Sequence, residues 1–284
     1  MRKQTILLAM LLAVSTAFAQ VKSYDLSVGD KYEVNQETNI TMDIEAMGSS
    51  MQTVQKVITK DMLEVIAANS AGYEFKYTTM NRKIVMTLPM AGEQTMDSDG
   101  TGPMDAAFKA MINRSITFTM DKYGRIKEFK GLKDAKKAMK DDLAGTAMAA
   151  QADQLTAIYS ESVLKSLLQG QLDFYAGDDS KEWNKNFSTV MNELPVDLEV
   201  KMWYDTDNSI LADGKMLIKG EVNQMGAQMS TDLKGTQNSN YDLASNGMPT
   251  QIQTKQEAEG SMTAQGMELP VKMSTMTKVT FTKK

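Results

Sequence analysis

One long run in this chain has helical apolar spacing, and segments patterned as strands lie on both sides of it. In Leu132–Gly170, the residues Leu132, Ala135, Met139 and Leu143 recur at three- and four-residue intervals. After Gly145 the intervals resume with Met148, Ala152, Leu155, Tyr159, Val163 and Leu167. Such spacing places the apolar side chains on one stripe of a helix, which must be buried. The reading is two helices, Leu132–Leu143 and Ala147–Gln169, with Gly170 ending the second. A stripe surrounded by strands packs on sheet, and this sets the expected fold. That fold is α+β: a large, curved, mostly antiparallel sheet, half-barrel-like, with the helical block on its concave face.

The flanking runs carry period-two patterning and turn residues. Tyr32–Met47, Met51–Ala67 and Tyr73–Met90 read as long antiparallel strands separated by Gly48-Ser49-Ser50 and Asn69-Ser70-Ala71-Gly72. Ala91–Gly102 reads as a polar loop. A short helix follows Gly102-Pro103, with Met104, Phe108, Met111 and Ile112 as its stripe. Ser115–Met120 and Arg125–Phe129 are strands around Asp121-Lys122-Tyr123-Gly124. Beyond the helical block, Val196–Tyr204 alternates cleanly. Ile210–Val222, Gln224–Lys234, Ser239–Ala244, Met248–Glu259 and Met267–Phe281 are further strands. Asn246-Gly247 is a strong hairpin signal. The chain thus divides into a leader, residues 1–19, and one β-rich domain, residues 20–284. That domain has strands and a short helix in 20–131, the helical block in 132–170, and strands in 171–284.

The leader has Arg2 and Lys3, an apolar run Ile6–Val14, and Ala17-Phe18-Ala19 before Gln20. That is the layout of a secretory signal peptide cleaved near Ala19/Gln20, and its apolar run is too short for a permanent span. The expected location is periplasmic or extracellular, with no transmembrane segment. The net charge of −5, without a basic block, argues against nucleic acid as a partner.

The chain has no cysteine and no histidine. Disulfides, thiolate nucleophiles, Ser-His-Asp triads and the commonest metal ligands are therefore out of reach. Carboxylate-only catalysis survives in principle, but Asp141-Asp142 and Asp178-Asp179 are sequence neighbours whose side chains diverge. Asp97-x-Asp99-Gly100 and Asp205-x-Asp207-x-Ser209 resemble the openings of calcium loops without their full spacing, and turn chemistry explains both. The expectation is no enzyme, no cofactor and no metal.

The chain has 25 methionines. Met42, Met47, Met51, Met86, Met90, Met225, Met229, Met262, Met267, Met273 and Met276 fall near strand ends and hairpin tips. Thioethers fill irregular apolar spaces and adapt to variable ligands. A sharper reading, Cu(I) held by Met225/Met229 or Met273/Met276, lacks any assisting Cys or His.

Val28-Gly29-Asp30-x-Tyr32 resembles the start of an uncharacterised family of exported bacterial proteins. So do Asp97-Ser98, Pro103, Ile116-Thr117-Phe118 and Tyr123-Gly124-Arg125-Ile126, followed by Leu233-Lys234-Gly235, Tyr241-Asp242 and Asn246-Gly247-Met248. The family's second Gly-Asp is closely followed by Trp, whereas Trp183 sits later here. The order of strands, helices and strands is also similar to the LolA/LolB-like fold, which implies a hydrophobic ligand held under helices.

The expected function is non-catalytic binding of a hydrophobic or amphiphilic ligand. Met139, Leu143, Leu155, Tyr159, Val163, Leu167, Phe108 and Met111 are the candidate lining. The alternative is a structural or protein-interaction module with an envelope protein as partner.

Overall fold

A computed structural model describes residues 21–284 except 47, 89–91, 103, 192–193, 207, 225–226 and 265. The leader and Met47, Met90, Pro103, Asp207 and Met225 therefore lie outside the described residues.

The strands are long because their patterning is continuous. The first half gives β1 (Lys31–Ala46), β2 (Ser49–Asn69), β3 (Gly72–Leu88), β4 (Gly92–Asp97), β5 (Ser115–Met120) and β6 (Ile126–Lys130), with α1 (Asp105–Met111) before β5. The linking block holds α2 (Leu132–Leu143), α3 (Ala152–Thr156) and α4 (Glu161–Leu172), with single 3₁₀ turns at Ala149–Gln151 and Ala157–Tyr159. The second half gives β7 (Glu182–Met191), β8 (Leu194–Thr206), β9 (Ser209–Gln224), β10 (Ala227–Leu243), β11 (Pro249–Ala264) and β12 (Met267–Lys283).

Both halves enter one open, curled antiparallel sheet of 12 strands. Its order is β6-β5-β3-β2-β1-β12-β11-β10-β9-β8-β7, with β4 beside the outer part of β3. The first and last strands meet in the middle of the sheet, from Tyr32 opposite Lys283 to Ile44 opposite Val271. The helical block joins the two ends of that order, and α4 touches both β6 and β7. Asn246-Gly247 turns β10 into β11 as expected, with Gly247 at φ +80°. The turn sits so close to Tyr175 that a Cβ on Gly247 would lie 2.8 Å from the phenol oxygen.

Four expectations need correction. Residues 92–97 of the anticipated polar loop form β4, because Met96 and the backbone find partners on β3. Gln224–Lys234 and Ser239–Ala244 are parts of one strand, β10, running unbroken through Gly235 and Thr236 against β9. β7, which carries Trp183, was not anticipated. Its Asn-rich pattern has few apolar residues, and pairing with β8 makes it a strand.

The fourth correction concerns the second helix, which is not continuous over Ala147–Gln169. Ser160 is extended (φ −76°, ψ 150°), and its hydroxyl accepts from the Val163 N–H. That is an N-cap, and it starts a new helix with a new rotational phase. Leu164, Leu168 and Leu172 are consequently the buried stripe. Val163 is half-buried and Leu167 is 37% exposed. Lys165, between them, is half-buried. Gly170 lies inside α4, which runs on to Leu172.

The main core sits where the helices meet the sheet. Phe75 and Phe118 stack with centroids 5.3 Å apart, and Phe174 packs on Tyr175 at 4.5 Å. Met139, Leu143, Leu168 and Leu172 join them, all essentially without solvent contact. Complete burial of each such side chain contributes about 1.5–3 kcal/mol.

Candidate functional site

The face against which the helices pack, called here the inner face, can be followed along every strand because side chains alternate. On β1 it carries Tyr32, Val34, Gln36, Thr38, Ile40, Met42 and Ile44. Register carries it laterally to Phe281, Val279, Thr277, Thr275, Met273 and Val271 on β12. In β1, β8, β9, β10 and β11, every Asp, Glu and Lys lies at an alternate, outward position. Outward rows such as Asp43, Lys272, Glu259 and Lys234 run across neighbouring strands with alternating charge.

The inner face is layered. Nearest the helices it is apolar and belongs to the main core. Next comes a belt of neutral polar groups: Gln36, Thr38, Thr277, Thr254, Ser239, Gln237, Gln256 and Thr275. Hydrogen bonds link Thr38 to Thr277 (3.1 Å), Ser239 to Thr254 (2.9 Å) and Gln256 Nε2 to Gln237 Oε1 (2.7 Å). Beyond the belt the face is mostly apolar again, with Gln55 and Thr53 on β2 and Thr231 on β10 as its polar members. Val196, Met216, Ile218, Leu233, Ala258, Val271 and Met273 form a second buried cluster there, to which no helical residue among the described ones belongs. Beside it, Ile40, Met42, Ile44, Val57 and Met86 are only half-buried, with Gln55 between Ile40 and Met86, whereas half-buried Ile84 packs against the main core.

Helix α4 meets this belt. Gln171 Nε2 donates to Gln36 Oε1 at 3.0 Å. Residues four apart on a helix share a face, so Val163 and Leu167 lie on the stripe that leads to Gln171. These two candidate residues are the ones that α4 does not commit to the main core.

The other candidates lie deeper. Met139 and Leu143 (α2), Phe108 and Met111 (α1), and Tyr159 are buried in the main core, and Leu155 packs against it half-buried. The Tyr159 hydroxyl bonds the Met111 carbonyl (3.3 Å) and the Thr79 hydroxyl (3.2 Å), and burial raises its pKa. The structure thus brings the anticipated residues together in two places, the packed core and the α4 stripe. The half-buried sheet residues Ile40, Ile44 and Val57 were not anticipated as a site. Their alternation was visible, but the inner face needs the register.

Among the described residues, two ion pairs are the charged groups of the inner face near the belt. A β-bulge at Met80 shifts β3 by one residue, so that Arg82, not Asn81, points inward. Arg82 Nη2 lies 2.7 Å from Asp61 Oδ1 and 2.9 Å from the Tyr77 hydroxyl. Burial raises the Asp61 pKa, and the Arg82 charge pulls the other way. On the opposite side, Lys185 of β7 pairs with Asp173 just after α4, both nearly buried.

The remaining polar candidates are engaged in local bonds. Asp97 Oδ1 accepts from the Asp99 N–H while its other oxygen pairs with Lys83, as turn chemistry requires. Asp141 pairs with Lys137, and its neighbour Asp142 with Arg114. Asp178 bonds the Ser180 N–H, and Asp179 pairs with Lys22. Met273 is buried on the inner face whereas Met276 is 52% exposed on the outer one, so their sulfurs do not converge on one ion. Met225 of the other methionine pair is not among the described residues.

Among the described residues no helix is long and apolar enough to cross a membrane. Lipovitellin, solved in a study of lipid–protein interactions in lipovitellin, shares the fold. Its TM-score is 0.51 at 9% identity over 91% of this chain, and this chain spans 25% of that one. An outer membrane channel from Pseudomonas putida F1 aligns over 92% of this chain at 9% identity, with a TM-score of 0.34 that carries no argument about fold. No curated protein sequence matches. A family profile matches residues 70–249, more than half of the chain, and the protein belongs to that family, the Family of unknown function (DUF6263).

Proposed function

We propose that this is an exported, non-catalytic protein that binds a hydrophobic or amphiphilic molecule on the inner face of its sheet, beyond helix α4. In this reading the helical block fills one end of the concavity of a half-barrel-like sheet, an arrangement similar to the LolA/LolB-like fold. The other end is the binding region. Val163 and Leu167 form its floor, and Ile40, Met42, Ile44, Val57 and Met86, with Gln55 among them, form its open wall. The observation that carries the reading is the second apolar layer beyond the belt, which no described helix covers and whose β1–β3 side is half-exposed. Half-buried methionines suit such a surface, because a flexible thioether adjusts to chains of different shape. The charged outer face fits water, since a lipid-facing lysine or arginine costs about 2–4 kcal/mol near mid-bilayer.

Native mass spectrometry of detergent-free protein, together with saturable uptake of the uncharged dye Nile red, tests the proposal. A bound mass or one-site saturation supports it, and the absence of both refutes it. The second reading is a structural or protein-interaction module. The close burial of Ile218 and Val271, at 1% and 2% exposure, favours it, because those side chains are already packed. Capture of one defined envelope protein, with no small molecule bound, would select this reading.

A further inference from the structure

Resting on the ligand reading above, we infer that the molecule bound is an uncharged amphiphile, with a hydroxyl or ester head group held at the polar belt and its chain on the apolar layer beyond.

The inner face sorts ligands by charge. From the belt to the strand tips, β1 and β8 to β11 carry no ionisable side chain on this face among the described residues. The charges that do reach it come in neutral pairs, Arg82 with Asp61 and Lys185 with Asp173. A carboxylate or phosphate placed at the belt would meet no free cation. It would lose its hydration among groups that return only neutral hydrogen bonds, a large penalty. A zwitterion would bring two such charges.

Neutral polar groups are treated differently. The Gln171 amide spends one N–H on Gln36, leaving a second N–H and its Oε1. Gln36 spends one N–H on Thr38 and keeps the other. The Thr59 hydroxyl stands directly across from Gln36, with no bond to another described residue. Donors and acceptors are thus both present, in the mixture that a glycerol hydroxyl or an ester carbonyl uses. Gln171 is four residues beyond Leu167 on α4, so head-group and chain contacts share one helix stripe.

The test titrates the full mature chain with 1-monooleoylglycerol, with oleate at pH 8 and with Nile red as a probe lacking a glycerol head. The inference expects 1-monooleoylglycerol to bind at least about tenfold tighter than oleate. Gln171→Leu should weaken monooleoylglycerol about tenfold, the worth of one or two hydrogen bonds, and leave Nile red unchanged. Thr59→Val should act in the same direction and guards against a folding defect in the helix variant. Oleate binding as tightly as monooleoylglycerol overturns the head-group inference, and so does indifference of monooleoylglycerol to both substitutions. In either case Nile red binding leaves the ligand reading standing. If none of the three binds, both fall.

Discussion

Arg82 and Asp61 face each other across β3 and β2, with Nη2 2.7 Å from Oδ1, and the bulge at Met80 is what turns Arg82 inward to meet it. The two side chains are 16% and 8% exposed. Pairing of charges so nearly buried offsets the cost of removing them from water, and it adds little net stability beyond that.

Removing one partner therefore exposes the full penalty. Asp61→Ala should destabilise the protein by about 3–5 kcal/mol, whereas Asp61→Leu with Arg82→Met should be near neutral. Urea unfolding followed by tryptophan fluorescence measures both. Equal losses in the two variants would show that the pair supplies stability of its own.

Acid sensitivity should centre on Glu33. Hydrogen bonding from Lys60 first, then from Asn35 and Lys284, holds its carboxyl down to about 2 from an ordinary 4.5. A depressed acid stabilises the fold above its unfolded value and loses that contribution as pH falls from about 4.5 towards 2. Asp61, raised by burial, has the opposite sign and favours the fold more at low pH. Because Lys60 and Lys284 are more than 40% exposed, the Glu33 contribution is discounted to about 1 kcal/mol. Glu33→Gln should flatten the fall in stability between pH 5 and pH 2. An unchanged acid limb would assign that fall to other carboxylates.

Helix α4 separates two adjacent leucines. Leu168→Ala, at a site 1% exposed, should cost about 2–5 kcal/mol. Leu167→Ala, at a site 37% exposed, should cost within about 0.5 kcal/mol. Thermal unfolding of the two variants side by side decides it, and a reversed order would mean that α4 is rotated.

Gly235 on β10 leaves no room for a side chain. An added Cβ would collide with the Glu257 carbonyl oxygen and sit 2.8 Å from the Ala258 Cβ. At Gly214 on β9, the nearest atoms would be 3.2 Å away. Gly235→Ala should therefore cost several kcal/mol and Gly214→Ala no more than about 1 kcal/mol, as overpacking against backbone is the harder to relieve. Comparable unfolding midpoints for the two would show that the sheet relaxes locally.

How far the sequence could be read depended on which signal each element uses. α2 was legible to its last residue, because Ala135, Met139 and Leu143 keep one uninterrupted phase. β5 was equally legible from Ile116 and Phe118 between turns. α4 was misphased because Tyr159 and Val163 fit the preceding spacing. The Ser160 cap that resets the phase is one hydroxyl, invisible to periodicity. β7 was missed because Asn184, Lys185 and Asn186 look like loop, and the Lys185 charge is balanced by Asp173 from the helical side. The candidate region was only half legible. The alternation of Ile40, Met42 and Ile44 is in the sequence, but its partners Thr275, Met273 and Val271 lie more than two hundred residues away.

That distance has a kinetic consequence. Thr38 and Thr277, hydrogen-bonded across the middle of the sheet, are separated by 239 positions. A chain made from its N-terminus completes β1 and then adds more than two hundred residues before β12 arrives to cover it. Until then the centre of the future sheet is an unprotected edge, open to pairing with another molecule. Closing so long a loop is slow, and the rate of folding follows the sequence separation of such contacts more than the stability they bring. Loss of the 17 residues of β12 would thus not trim the molecule at its margin. It would cut the sheet along its seam, leaving two meanders held together through the helices alone.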